Sequence, residues 1–146
     1  SQLSDTIWVL KKDALSLTAI SDRIKVFIQK LSSSYPNIQI DVLEEIQTDH
    51  LLPPSQAFHL FKILQEAINN ALRHSQCEQI IILIKGGVDW QISVNDDGIG
   101  ISSEGITEGG NGLGNMKARS IEAGWHIDWQ QNGPNGTCVI ITPTTN

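Results

Sequence analysis

Lys62, Glu66, Asn70 and His74 are spaced four apart, so on a helix they place a cation, a carboxylate, an amide and an imidazole along one stripe. Gln65, Asn69 and Arg73 border that stripe. A carboxylate can polarise a water, an amide oxygen can hold a hard cation, and Arg and His one turn on can meet phosphate oxygens. Asn69 and Asn70 stand together in the middle of an otherwise strong helical segment, where an amide competes with the backbone for hydrogen bonds. A local cost without a local reason points to a site. A plain solvated helix face is the alternative.

Two further stretches carry chemistry. Asn95-Asp96-Asp97-Gly98-Ile99-Gly100 closes the short alternating run Gln91-Ile92-Ser93-Val94. A turn would need a strand on its far side, and Ile101-Ser102-Ser103-Glu104-Gly105 is not strand-like. A calcium loop needs oxygen ligands at alternating positions, and Ile99 stands at the fifth. As a ligand seat, the stretch would send a carboxylate into a cleft at a strand end. Its glycines would let a flat ligand touch the backbone. The second stretch, Gly110-Asn111-Gly112-Leu113-Gly114, sets alternating glycines at a helix start, where free N–H groups and the helix dipole favour an anion. A flexible hinge is the alternative. Its glycine spacing is not that of a dinucleotide-binding turn, and no GxxxxGK[ST] phosphate loop occurs in the chain.

The elements that must position these residues follow from periodicity. Ile20, Ile24, Phe27, Ile28 and Leu31 predict an amphipathic helix over 17–35, stopped by Pro36-Asn37. Residues 38–43 alternate as a strand. Residues 56–74 form the longest helix, with Phe58, Phe61, Leu64, Ile68 and Leu72 as its apolar stripe. The apolar run 80–84 turns at Gly86-Gly87 into 90–95 as a hairpin. Residues 101–112 read as a mobile loop, and 113–123 as a helix ending at Gly124. A second hairpin joins 125–131 to 137–142 across the turn NGPNG. Residues 4–12 read as a short helix or the end of a longer one. Strands grouped as hairpins among helices predict an α/β two-layer sandwich, a mixed sheet with its helices on one face.

The chain has 146 residues, 40% of them hydrophobic and 18% charged, which suits one folded domain. Its net charge of −6 argues against nucleic acid as the partner. Cys77 and Cys138 lack a CxxC pattern and read as buried free thiols. No stretch approaches the length of a membrane helix, and no signal peptide opens the chain. The expected location is the cytosol, or the cytosolic part of something larger. His50 and His59 read as surface or packed histidines, and Trp8, Trp90, Trp125 and Trp129 as packing residues.

"EAINNALRH", then "DDGIG", then "GNGLGNM" and finally "GTCVIITP" follow one another in an order that resembles the ATP-binding domain of sensor histidine kinases. That domain belongs to the wider superfamily of gyrase B, the Hsp90 chaperones and MutL. The resemblance covers about residues 17 to 143. "LSDTIWVLKK" is similar to the segment after the phosphoacceptor helices in the nitrate-sensor-like and DesK-like kinases, and the short loop between the glycine motifs fits that subgroup. The resemblance implies a Bergerat-type fold over residues 17–146, with 1–16 as the end of a helical dimerisation or linker segment.

It also implies ATP and Mg²⁺ as cofactors and a role for each matching residue. Asn70 matches the asparagine that holds Mg²⁺ on the phosphates. Glu66 matches the acid that polarises the nucleophile, while Arg73 and His74 match phosphate contacts. Asp96 matches the aspartate that accepts from the adenine amino group, with Gly98, Gly100 and Ile101 around the base. Asp97 takes the variable place and has no base contact. Gly110, Gly112, Leu113 and Gly114 match the lid-to-helix glycine motif around the phosphates, and Thr137 the threonine near adenine. The implied partners are a phosphoacceptor helical hairpin of the same full-length protein and a response regulator. The parent would be membrane-anchored and dimeric. None of His50, His59, His74 or His126 is followed by the acid of an acceptor motif, so the phosphoacceptor would lie outside this chain. The alternative is a module that holds a nucleotide to set a protein interface, like an anti-sigma factor.

Overall fold

The computed structural model describes residues 14–74, 76–99, 111–133 and 136–144, with the backbone alone at His74 and at 111–113. The helix expected over 4–12, the loop at 101–110 and Pro134-Asn135 of the NGPNG turn therefore lie outside the described residues.

Leu15–Ser16 (β1) pairs antiparallel with Leu51–Leu52 (β3) and leads into helix α1, Leu17–Ser32. Ser16 caps α1, its hydroxyl accepting from the Ala19 N–H at 3.1 Å. The Asp49 carboxylate closes the same end, accepting from the Leu17 N–H and from the Thr18 hydroxyl, both at 2.8 Å. Leu17, Ile20, Ile24 and Ile28 are the buried face of α1. The helix ends three residues before Tyr35, short of the proline that cannot continue it.

Strand β2 (Gln39–Ile46) is followed by β3 and by α2, Pro54–His74, which opens on proline at the first helical position. Strands β4 (Gln79–Gly86) and β5 (Trp90–Asp96) form the expected hairpin. Helix α3, Asn111–Ala123, ends at Gly124 with φ 81°, the left-handed conformation of a C-terminal glycine cap. Strands β6 (Trp125–Asn132) and β7 (Gly136–Pro143) form the second hairpin. Helix α1 starts at the expected residue, and α2 and α3 each start two residues before the sequence-based estimate. The two-residue strands β1 and β3 are too short to show any alternation.

The five-stranded sheet runs β2-β4-β5-β7-β6, with β2 and β4 parallel and every other neighbour antiparallel. One face is the core. Ile80, Ile82 and Ile84 are fully buried, and in register beside them stand Asp96, Val94 and Ile92, then Thr137, Val139 and Ile141. Leu60, Ile63, Leu64 and Ile68 of α2 and Met116 of α3 complete that layer. Each such buried aliphatic side chain contributes about 1.5–3 kcal/mol of burial free energy. On the other face Ile81, Leu83 and Ile140 are only half-buried, as expected of a two-layer sandwich. Trp90 and Trp125 pack edge to face, centroids 5.1 Å apart, at the sheet end away from Asp96.

Candidate functional site

Asp96 is the last residue of β5. It stands on the core face, in register with Ile80 on one side and Thr137 on the other. It is only 6% exposed. Its Oδ1 accepts from the Gly98 N–H at 2.9 Å, so the backbone folds back over its own carboxylate. Burial pushes the carboxyl above its ordinary value, against the pull of the Gly98 and Thr137 N–H groups; neighbouring Asp97 adds to the rise. A partly desolvated carboxylate at a sheet end gains most from a donor that enters with a ligand.

The hairpin β6–β7 clasps this strand end. The Asn132 side chain donates to the Asp96 carbonyl at 2.9 Å. A Cβ on Gly136 would meet that same carbonyl oxygen at 2.0 Å, so only glycine fits there. Asp97 does something different. Its Oδ1 accepts from the N–H groups of Glu78 and Gln79, at 2.9 and 3.0 Å, and so pins the start of β4 to the end of β5. Those bonds, the Gln79 one first, hold its carboxyl below the ordinary value. Asp97 is thus a fastening for the strand that carries Asp96, more than the tolerated neighbour its variable position suggested.

The helices meet at this same end of the sheet. Only four residues separate the end of α2 at His74 from the start of β4 at Gln79, and Ile80 pairs with Asp96. The last turns of α2 therefore lie over the Asp96 end. Lys62, Gln65, Glu66, Asn69 and Asn70 are all half-buried on the described α2, and Arg73 is exposed, its Nε donating to the Asn69 carbonyl at 3.4 Å. Lys62, Glu66 and Asn70 thus share one side of α2 at the margin of the core. Phe58, placed by periodicity in the apolar stripe, is only half-buried, and its ring carries the Arg119 guanidinium 5.6 Å from the centroid.

Helix α3 runs antiparallel to α2. Gln56 Nε2 donates to the Ala123 carbonyl at 3.0 Å, and further along α2 His59 meets Arg119 at 3.3 Å. Following α3 back toward Asn111 thus leads toward the half of α2 that bears Glu66 and Asn70. Gly112, Leu113 and Gly114 fall in its first turns, where N–H groups lack helical partners. A Cβ on Gly114 would meet nothing within 4 Å, so the fold itself does not demand glycine there. Gly100, Ile101 and Gly110 lie outside the described residues.

Asp96, Gly98, Thr137, the later turns of α2 and the first turn of α3 thus share one end of the sheet. The signals for Asn132, Gly136, His59 and Arg119 are weak in sequence, because each acts on a residue remote along the chain. Among the described residues, no three of His, Cys, Asp and Glu cluster as a metal site. The half-buried Asn70 amide oxygen is a donor of the kind a hard cation takes.

A mixed five-stranded sheet with helices is also the architecture of solved histidine kinase ATP-binding domains. The ATP-binding domain of PrrB from Mycobacterium tuberculosis superposes with a TM-score of 0.70 at 16% identity, over 92% of this chain and 99% of that one. The histidine kinase domain of the blue-light activated kinase of Erythrobacter litoralis EL346 gives 0.69 at 22% identity, over 88% of this chain and 61% of its own. At the level of sequence, the profile described as histidine kinase-, DNA gyrase B-, and HSP90-like ATPase matches residues 55–146, and the chain belongs to that family. Among similar curated proteins are the sensor protein VraS of Staphylococcus aureus (strain COL), 33% identical over 112 residues, and the nitrate/nitrite sensor protein NarX of Escherichia coli (strain K12), 30% identical over 105. The matches take in 75% and 66% of this chain but only 31% of VraS and 17% of NarX.

Proposed function

We propose that this chain is the catalytic ATP-binding domain of a sensor histidine kinase, presenting Mg-ATP for phosphoryl transfer to a histidine outside residues 1–146. The observation that carries the reading is the buried Asp96 carboxylate, held by Gly98 and clasped by the β6–β7 hairpin at the mouth shared by α2 and α3. A buried carboxylate suits the exocyclic amino group of adenine, and Gly98 and Gly100 leave room for the ring, with Thr137 and Ile101 beside it. Asn70 would hold Mg²⁺, which when bound offsets phosphate charge. Arg73, His74, Gly110 and the first turn of α3 (Gly112, Leu113, Gly114) cradle the phosphates. Glu66, one turn before Asn70, orients the nucleophile. Neutral imidazole is already nucleophilic, so the work of the site is positioning and charge neutralisation.

Residues 1–16 lead in from a helical dimerisation segment, and 17–146 form the ATPase domain. The partners are that segment's phosphoacceptor hairpin and a response regulator, in a dimeric, membrane-anchored parent. No helix of the described residues is long and apolar enough to cross a membrane. The test is incubation of the full-length protein with γ-labelled ATP. Label that is lost in acid and kept in alkali is phosphohistidine and is the expected result. Tight ATP binding without any transfer overturns the kinase reading and leaves a nucleotide-holding module.

A further inference from the structure

The stripe of α2 that bears Glu66 and Asn70 continues backward to His59, seven residues and about 10 Å of helix before Glu66. There α3 closes on it through a group of four side chains. Arg119 Nη1 lies 3.3 Å from His59 Nδ1 and the guanidinium rests over the Phe58 ring, while Glu122 lies 3.8 Å from His59 Nε2. A guanidinium can only donate, so Nδ1 must accept and the ring proton must sit on Nε2, facing Glu122. This tautomer is neutral. Burial holds the imidazole below its ordinary value, Glu122 opposes that, and the Arg119 charge adds to it.

We propose that His59 and Arg119 are positioning residues for the phosphate half of the nucleotide site: a latch that fixes how α3 lies against α2. The inference rests on the ATP-binding reading and goes beyond it, since neither residue touches ligand. Three observations carry it. The α2–α3 pair is antiparallel, so the latch holds the far end of the helix whose first turn faces the Asn70 half of α2. The Gln56–Ala123, His59–Arg119 and His59–Glu122 contacts all fall at this one end of the two helices. Asp96 stands on β5, fastened by Gly98, Asn132 and Gly136, with no member of the latch among those contacts. Loosening the latch therefore disturbs the phosphates and leaves the adenine seat alone.

The test compares ATP and adenosine binding by calorimetry in the unaltered protein, His59→Phe, His59→Asn and Arg119→Met. Phenylalanine keeps a ring and loses the acceptor. Asparagine keeps an acceptor near the place of Nδ1. Methionine keeps a stem over Phe58 and loses the donors. The expected result is that H59F and R119M weaken ATP binding roughly three- to thirtyfold, keep the affinity for adenosine, and that H59N restores most of the loss. Equal weakening of both ligands marks a general structural role and overturns the latch, as does ATP binding unchanged in H59F and R119M, or H59N no better than H59F. If the unaltered protein binds neither ligand, the ATP-binding reading falls and the latch with it.

Discussion

Adjacent acids Asp96 and Asp97 face opposite demands. Asp96 keeps its carboxylate against burial, and Asp97 spends its own on two backbone N–H groups. Replacing Asp96 by asparagine removes the buried charge and keeps an oxygen for Gly98. The ligand-free Asp96→Asn protein should therefore melt at the same temperature or higher, while ATP affinity by calorimetry drops about tenfold or more, the worth of a charge-assisted bond. Undiminished affinity would sink the adenine assignment. Of these two residues, only Asp96 was legible in sequence, through its place in the glycine motif. The job of Asp97 depends on Glu78 and Gln79, nineteen and eighteen residues away, which no local pattern reveals.

Among elements, the long helices and both hairpins were legible because their periods and turn residues are local. Their mutual fit was not. Thr137 comes beside Asp96 only because β7 inserts between β5 and β6. His59 and Arg119 meet across sixty residues. Two glycines expose the difference between fold and site. Gly136→Ala would drive a methyl group into the Asp96 carbonyl and should lower stability by about 1–3 kcal/mol in denaturant melts. Gly114→Ala meets open space and should leave the fold as stable or about 1 kcal/mol more so, yet weaken ATP binding. Equal ATP affinity in the Gly114 variant would remove that helix turn from the phosphate site.

For the molecule as a whole, three carboxylates set the acid limit. The Lys25 ammonium and then the Ser21 hydroxyl hold Glu44 below its ordinary value. At Asp49 burial acts upward, but bonds from Thr18, His50 and Leu17 outweigh it and the net shift is downward. Asp97 is lowered as well. A carboxyl whose pKa is lower in the folded state adds stability that is fully present above its unfolded value, near pH 4, and is lost as pH falls through the folded value. Thermal melts should start to fall as pH drops through about 6.5, the unfolded value of His59, whose folded value is lowered. The raised Asp96 carboxyl acts the other way. The melts should fall further below about pH 4. Asp49→Asn, melted alongside, should show a shallower acid arm; identical arms would refute its share.

The parallel pairing of β2 with β4 makes α2 the crossover between two strands that bond to each other from Gln39 and Gln79 to Ile46 and Gly86. Helix α3 instead joins β5 to β6, which do not touch. One wall of the cleft is therefore tied between two strands that bond to each other, and the other is held by packing and by the Gln56–Ala123, His59–Arg119 and His59–Glu122 contacts. Local breathing belongs to α3. A bound nucleotide would leave when that wall yields, without any unfolding of the sheet beneath it.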